Sequence, residues 1–182
     1  MIRFNEKKAT QAAAKFLALN NNCMNYMILI KNLYLLDRGA LLNWGRLVSY
    51  DEAYEMKWGP VLSHVHDLIT EMEPEQSYWT SHICKDNFEV RLVSDPGNDA
   101  LSEAEEELIA EIFATYRNYR DPFAFARKLH AILPELKGIT QGRLDLTIGD
   151  ILRSERRPAE EILAIEKELD SLGQVKSLYS SS

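Results

Sequence analysis

Between Tyr26 and Leu41 the apolar residues Tyr26, Met27, Ile30, Leu33, Tyr34 and Leu41 recur at helical spacing. Around Leu33 to Leu36 the stripe widens until most of the helix surface is apolar, and such a helix has to be buried on most sides. The rest of the chain must therefore pack around this segment. At 182 residues there is enough chain for one well-buried domain and too little for two of ordinary size.

The flanking segments supply the partners. Asn5 can cap a first helix whose Ala9, Ala12, Ala13, Phe16 and Leu17 form a core stripe, with small residues that allow close packing. Asn20-Asn21-Asn22 breaks it, and Asn22 or Asn25 can cap the central helix, which Gly45 ends in a left-handed cap. Asp51 to Lys57 reads as a turn and a short strand with Tyr54 and Met56 on one face. Gly59-Pro60 then opens a third helix through Val61, Leu62, Val65, Leu68, Ile69 and Met72, stopped by Glu73-Pro74-Glu75. Trp79 to Cys84 and Phe88 to Val93 read as strands joined at Lys85-Asp86-Asn87, completing one small antiparallel sheet with residues 54–56.

Ser102 with Glu105 makes a capping box before Leu108, Ile109, Ile112, Phe113 and Tyr116. Asp121-Pro122 starts the next helix, with Phe123, Ala126, Leu129 and Leu133 inward. Thr147 or Asp145 can cap a short helix through Ile148, Ile151 and Leu152. The last helix opens at Arg157-Pro158 and is closed by Gly173, leaving 176–182 as a disordered tail behind a domain of residues 1–175. The fold expected is mainly α (α+β): a compact single domain of about six to seven helices with a small antiparallel sheet of two or three short strands.

Few chemistries are marked. His64 and His66, two apart on a helix, face different ways, whereas a helical metal pair stands four apart, so no metal or other cofactor is expected. Cys23 and Cys84 are too few for a disulfide framework and fit a reducing, cytoplasmic setting. No apolar run reaches membrane-spanning length, and Met1 to Asn5 has no signal-peptide character. His130, between Leu129 and Ala131, reads as a packed histidine, and nothing local marks a nucleophile. The chain is not expected to be an enzyme. Its formal charge of −7 is uneven, with seven bases against two acids in residues 1–50 and the acidic excess beyond. That balance disfavours DNA binding and suits a basic protein partner.

Leu33-Tyr34-Leu35-Leu36-Asp37-Arg38, then Gly45-Arg46, then Met56-Lys57-Trp58-Gly59-Pro60-Val61 resemble, in order and spacing, the defining segments of the Panacea domain. This is the SocA-like antitoxin family of bacterial and prophage toxin–antitoxin operons and phage-associated GepA-like proteins. Leu36 and Gly39 stand where Ala and Glu are common, and Leu47 replaces a proline. The resemblance implies an antitoxin that binds and blocks a cognate toxin encoded by the adjacent gene. Its alternative role is as an adaptor delivering the toxin to a ClpXP-type protease; a homodimer stays open. It implies structural roles for Tyr34, Met56, Gly59, Pro60, Val61 and His130. The partner-binding residues expected are Asp37, Arg38, Trp44, Arg46, Tyr50, Tyr54, Lys57 and Trp58. Of these, Trp44, Arg46, Tyr50, Tyr54 and Trp58 lie in or beside one corner between the two central helices, and Asp37 and Arg38 would serve a second surface in the adaptor role.

Overall fold

A computed structural model describes residues 3–71 and 76–179. Among these, seven helices and six short strands follow in the order α1 (Glu6–Leu19), β1 (Cys23–Asn25), α2 (Tyr26–Trp44), β2 (Ala53–Met56), β3 (Gly59–Leu62), α3 (Ser63–Thr70), β4 (Ile83–Asp86), β5 (Glu89–Leu92), α4 (Glu103–Tyr116), α5 (Pro122–Ile132), β6 (Leu144–Leu146), α6 (Ile148–Ser154) and α7 (Ala159–Tyr179). The architecture is the mainly helical α+β domain expected from the sequence.

The organising helix is α2. Its residues Ile28 to Asp37 are all buried, together with Ala40 and Leu41. It meets α1, α3, α4, α5 and α6 on its flanks, and β1 and β3 as well. The Asn25 side chain accepts from the Met27 N–H at its start, and Gly45 ends it at φ +66°, a conformation that favours glycine. The close approach of α1 rests on Ala9, Ala12 and Ala13, all fully buried. Ser102 and Glu105 form the capping box of α4, Asp121 caps α5 ahead of Pro122, and Thr147 with Asp150 boxes α6.

The strands depart from expectation. Two antiparallel sheets form, ordered β1-β5-β4 and β3-β2-β6, so residues 54–56 do not join the later hairpin. The edge of that hairpin is taken by β1, which pairs Met24 with Val90 on the way into α2. Residues 77–82 make turns rather than a strand, with Trp79 buried and its N–H donating 2.9 Å to the Glu6 carboxylate. The hairpin turns at Asn87-Phe88, between paired Asp86 and Glu89, with Asn87 at φ +55°.

Pro60 lies in β3, opposite Glu55, and not at a helix start. A short apolar run after Gly-Pro fits either reading, and the edge position of β3 tolerates a residue with no N–H to give. The α3 helix begins three residues later and takes its cap from a distance: the buried Asp51 carboxylate accepts from the His64 and Val65 N–H groups at 2.9 Å each. The expected stop at Glu73-Pro74-Glu75, like Met72, lies outside the described residues. Phe123 points outward rather than into the core, and α7 runs through Gly173 to Tyr179. No helix among the described residues is long and apolar enough to cross a membrane.

Candidate functional site

The Asp37-Arg38 pair faces inward. Asp37 accepts from the Val48 and Ser49 N–H groups, both at 2.8 Å, and from the Ser49 hydroxyl. It thereby pins the loop after Gly45 back onto α2. Burial pushes its pKa up to about 6, against those hydrogen bonds, which favour the carboxylate. Arg38 donates from Nε to Glu135 at 2.7 Å and also pairs with Glu155, while the Tyr34 hydroxyl donates to Glu135 at 2.7 Å. Burial alone would raise the pKa of Glu135, yet Arg38 and Tyr34 hold it below the ordinary carboxylate range.

A prediction follows from Asp37. Its folded pKa of about 6 exceeds the usual 3.8, so the folded state binds the extra proton and this group's contribution to stability falls as pH rises across that interval. Asparagine mimics the protonated form: its carbonyl can take the two N–H groups and its amide can donate to Ser49 Oγ. Urea denaturation should therefore show Asp37→Asn gaining on the parent chain between pH 4 and pH 6. Asp37→Ala leaves two buried N–H groups unpaired and should cost about 2–4 kcal/mol at pH 4, a cost that shrinks toward pH 6 as the parent loses its own share.

The expected partner-binding residues do not form one corner. Trp44, Arg46 and Tyr50 sit at the C-terminal end of α2. Arg46 lies over the Trp44 ring with its guanidinium carbon 5.2 Å from the centroid, and donates to the buried Glu105 carboxylate of α4. Lys8 of α1 donates to the same carboxylate at 2.7 Å. Lys57 and Trp58 form the β2–β3 turn instead, beside Lys31 near the other end of α2. The separation along that helix is about 20 Å, thirteen residues at 1.5 Å each. Tyr54 belongs to neither group: it is buried in β2, under the Arg143 guanidinium at 4.6 Å. A cleft of about 340 Å³ beside it is lined by Tyr34, Asp37, Arg38, Asp51, Tyr54 and Arg143, among others.

The β2–β3 turn rests on buried polar groups. Gly59 has φ +93°, and a Cβ there would stand 3.4 Å from Lys31 Cε. Lys31 is 2% exposed, has no hydrogen-bond or ion-pair partner among the described residues, and burial lowers its pKa to about 8. One strand residue back, the buried Glu55 carboxylate accepts from the N–H groups of Lys137, Gly138 and Ile139 at 2.8, 2.6 and 3.3 Å. His130 Nδ1 lies 3.7 Å from Glu55, and its Nε2 is buried with no partner among the described residues. Above this, Trp58 meets Phe123 edge-on at 4.7 Å, each about 40% exposed, and Met56 is 40% exposed.

Sequence reasoning missed Lys31, Glu55, Glu135 and the outward Phe123. A signal existed for Lys31, one of two bases inside the most apolar helix. Glu55 and Glu135 are marked by nothing local, since their partners lie 82–84 and 97–101 residues away in sequence.

A buried central helix, a carboxylate-pinned loop and a turn carrying exposed aromatics define a small helical domain whose surface display, at the turn, is aromatic and basic. The chain belongs to the family described as antitoxin SocA-like, Panacea domain, whose model matches residues 29–132, more than half of its length. The matched segment starts inside α2 and ends with α5, so it holds Asp37-Arg38, the whole β2–β3 hairpin and His130. No curated protein and no solved structure matches the chain.

Proposed function

We propose that the chain neutralises a toxin protein by binding it directly and stoichiometrically. Membership of an antitoxin-like family supports the general role. The observation that favours direct binding is the exposed Trp58–Phe123 pair, formed between the two-residue β2–β3 turn and α5 within the matched segment. Aromatic and basic anchors of this kind concentrate binding energy at protein interfaces, and the Glu55 and Gly59 contacts below keep the turn in place before any partner arrives.

The test is co-expression with the product of the adjacent gene, in hosts with and without ClpXP. Growth rescue in both hosts, with a stable one-to-one complex on pull-down, is the expected result. Rescue confined to the host with the protease would assign the chain to toxin delivery and overturn neutralisation by binding. A neighbour that is harmless and forms no complex would overturn the toxin-binding role altogether.

A further inference from the structure

Summed along the sequence, the bases concentrate in residues 1–50. In three dimensions most of those are spent. Lys7 pairs with Asp99, Lys8 and Arg46 with Glu105, Lys15 with Glu106, and Arg38 with Glu135. Glu105 and Glu106 of α4 are taken up by the same pairs. Several other bases have no ion-pair partner among the described residues, and three of them lie on the β2–β3 turn and α5. Lys57 of the β2–β3 turn and Arg127 and Lys128 of α5 have no ion-pair partner among the described residues, and Lys57 lies over the Trp58 ring at 5.0 Å. Arg127 stands four residues after Phe123, on the same face of α5.

Two acids on these elements are engaged by backbone N–H groups. Asp121 is committed to the N–H groups of Phe123 and Ala124, and Glu55 to the loop at 137–139. Beneath the turn lies the Lys31 ammonium, which no described residue accepts from. That ammonium keeps a little contact with solvent, where an incoming carboxylate can pair with it.

We propose that the face built from the β2–β3 turn and α5 docks an acidic segment of the partner protein, with an apolar side chain set against Trp58 and Phe123. Carboxylates of that segment pair with Lys57 and Arg127 at the surface and with Lys31 beneath Gly59. This rests on the neutraliser reading and names the chemistry of its interface. It reverses the preference suggested by the net charge: the free charge at the contact is positive, although the chain as a whole is acidic.

Two probes separate the docking face from the neutraliser reading. The first is the adjacent gene's product, titrated against Trp58→Ala, the double variant Lys57→Glu/Arg127→Glu, and the control Lys167→Glu on α7. Affinity should fall about tenfold or more for Trp58→Ala and for the double variant. The parent's salt dependence should weaken in the double variant, and Lys167→Glu should bind as the parent does. The second is a short peptide alternating glutamate with phenylalanine, added to isotope-labelled chain with amide shifts recorded. Shifts confined to residues 56–59 and 123–128, absent with a lysine-substituted peptide, are expected whether or not the neighbour binds.

Lys31→Met adds a readout that a merely structural lysine would not produce: stability held or raised, while affinity for the acidic probe drops about tenfold. Unchanged affinity in the folded double variant overturns the docking face and leaves neutralisation standing. No shifts with the acidic peptide overturn it too. A dimer that Lys57→Glu/Arg127→Glu dissociates would assign the face to a second copy and also overturn it.

Discussion

Replacing Arg38 by alanine is expected to lower the free energy of unfolding by about 3–5 kcal/mol, a large part of the roughly 5–15 kcal/mol that holds a domain together. The expectation rests on what stays behind. Glu135 is 2% exposed and its side chain is fully inaccessible. Without Arg38 it keeps, among the described residues, the Tyr34 hydroxyl at 2.7 Å, the Ser154 hydroxyl at 3.4 Å and its own backbone N–H. A buried carboxylate with neutral donors alone meets the desolvation that Arg38 now offsets. Adding Glu135→Gln to Arg38→Ala removes that stranded charge and should recover more than half of the loss, a coupling read by a double-mutant cycle in urea.

The pH dependence has a definite sign. In the parent chain Glu135 is held below its ordinary pKa, so its contribution is present above about pH 4.3 and is lost as pH falls through the depressed folded value. In Arg38→Ala burial is left to raise the pKa, so the variant binds a proton on folding. The gap between parent and variant should therefore narrow on acidification. A gap independent of pH would mean that lost packing, not the stranded carboxylate, sets the cost.

The helices were legible because their signals are local. Ser102 and Glu105 are three residues apart, Asp121 and Pro122 are adjacent, and Gly45 follows the last apolar turn of α2; each acts on backbone within one turn of itself. The strands were legible only in part: β2 and the hairpin of β4 and β5 were expected, while β1, β3 and β6 were not. β1 and β6 have three residues each, too few for any alternation to be counted, and what makes them strands is an edge offered from far away: β1 takes β5, and β6 takes β2. Pro60 misled for a related reason. Its missing N–H suits a first helical turn and an edge strand equally, and only the position of β2 decides between them.

The same distinction separates what was legible in the candidate site. The Lys57-Trp58-Gly59-Pro60 turn announced itself by residue type, and it does present an exposed aromatic. The grouping of Trp44, Arg46 and Tyr50 with Trp58 relied on nearness in sequence, and the length of α2 undoes it. Arg46 shows the consequence. Its charge is half committed to Glu105, so Arg46→Glu would set a carboxylate against a buried carboxylate, and lost rescue in that variant would report on folding as much as on binding. Substitutions at Lys57 and Arg127, which have no ion-pair partner among the described residues, are the cleaner probes of a surface.

Glu105 provides the second large effect, and its signature is non-additivity. The carboxylate is fully buried and accepts from Lys8, Arg46 and the Ser102 N–H at 2.9 Å, joining α1, the end of α2 and the start of α4. Burial would push its pKa up, but those donors together hold it down. Either cation alone can still neutralise it, and both are partly solvated, with side-chain exposures of 15% for Lys8 and 36% for Arg46. Lys8→Met and Arg46→Met should therefore cost about 1 kcal/mol each. The double variant strands the carboxylate and should cost about 3–5 kcal/mol, so the pair couples by about 1–3 kcal/mol. Adding Glu105→Gln to the double variant should return most of that coupling, because glutamine keeps an acceptor for Ser102 and carries no charge. Additive single costs, measured by chemical denaturation at neutral pH, would show that Glu105 is solvated after all and that the three helices are joined by their apolar contacts alone.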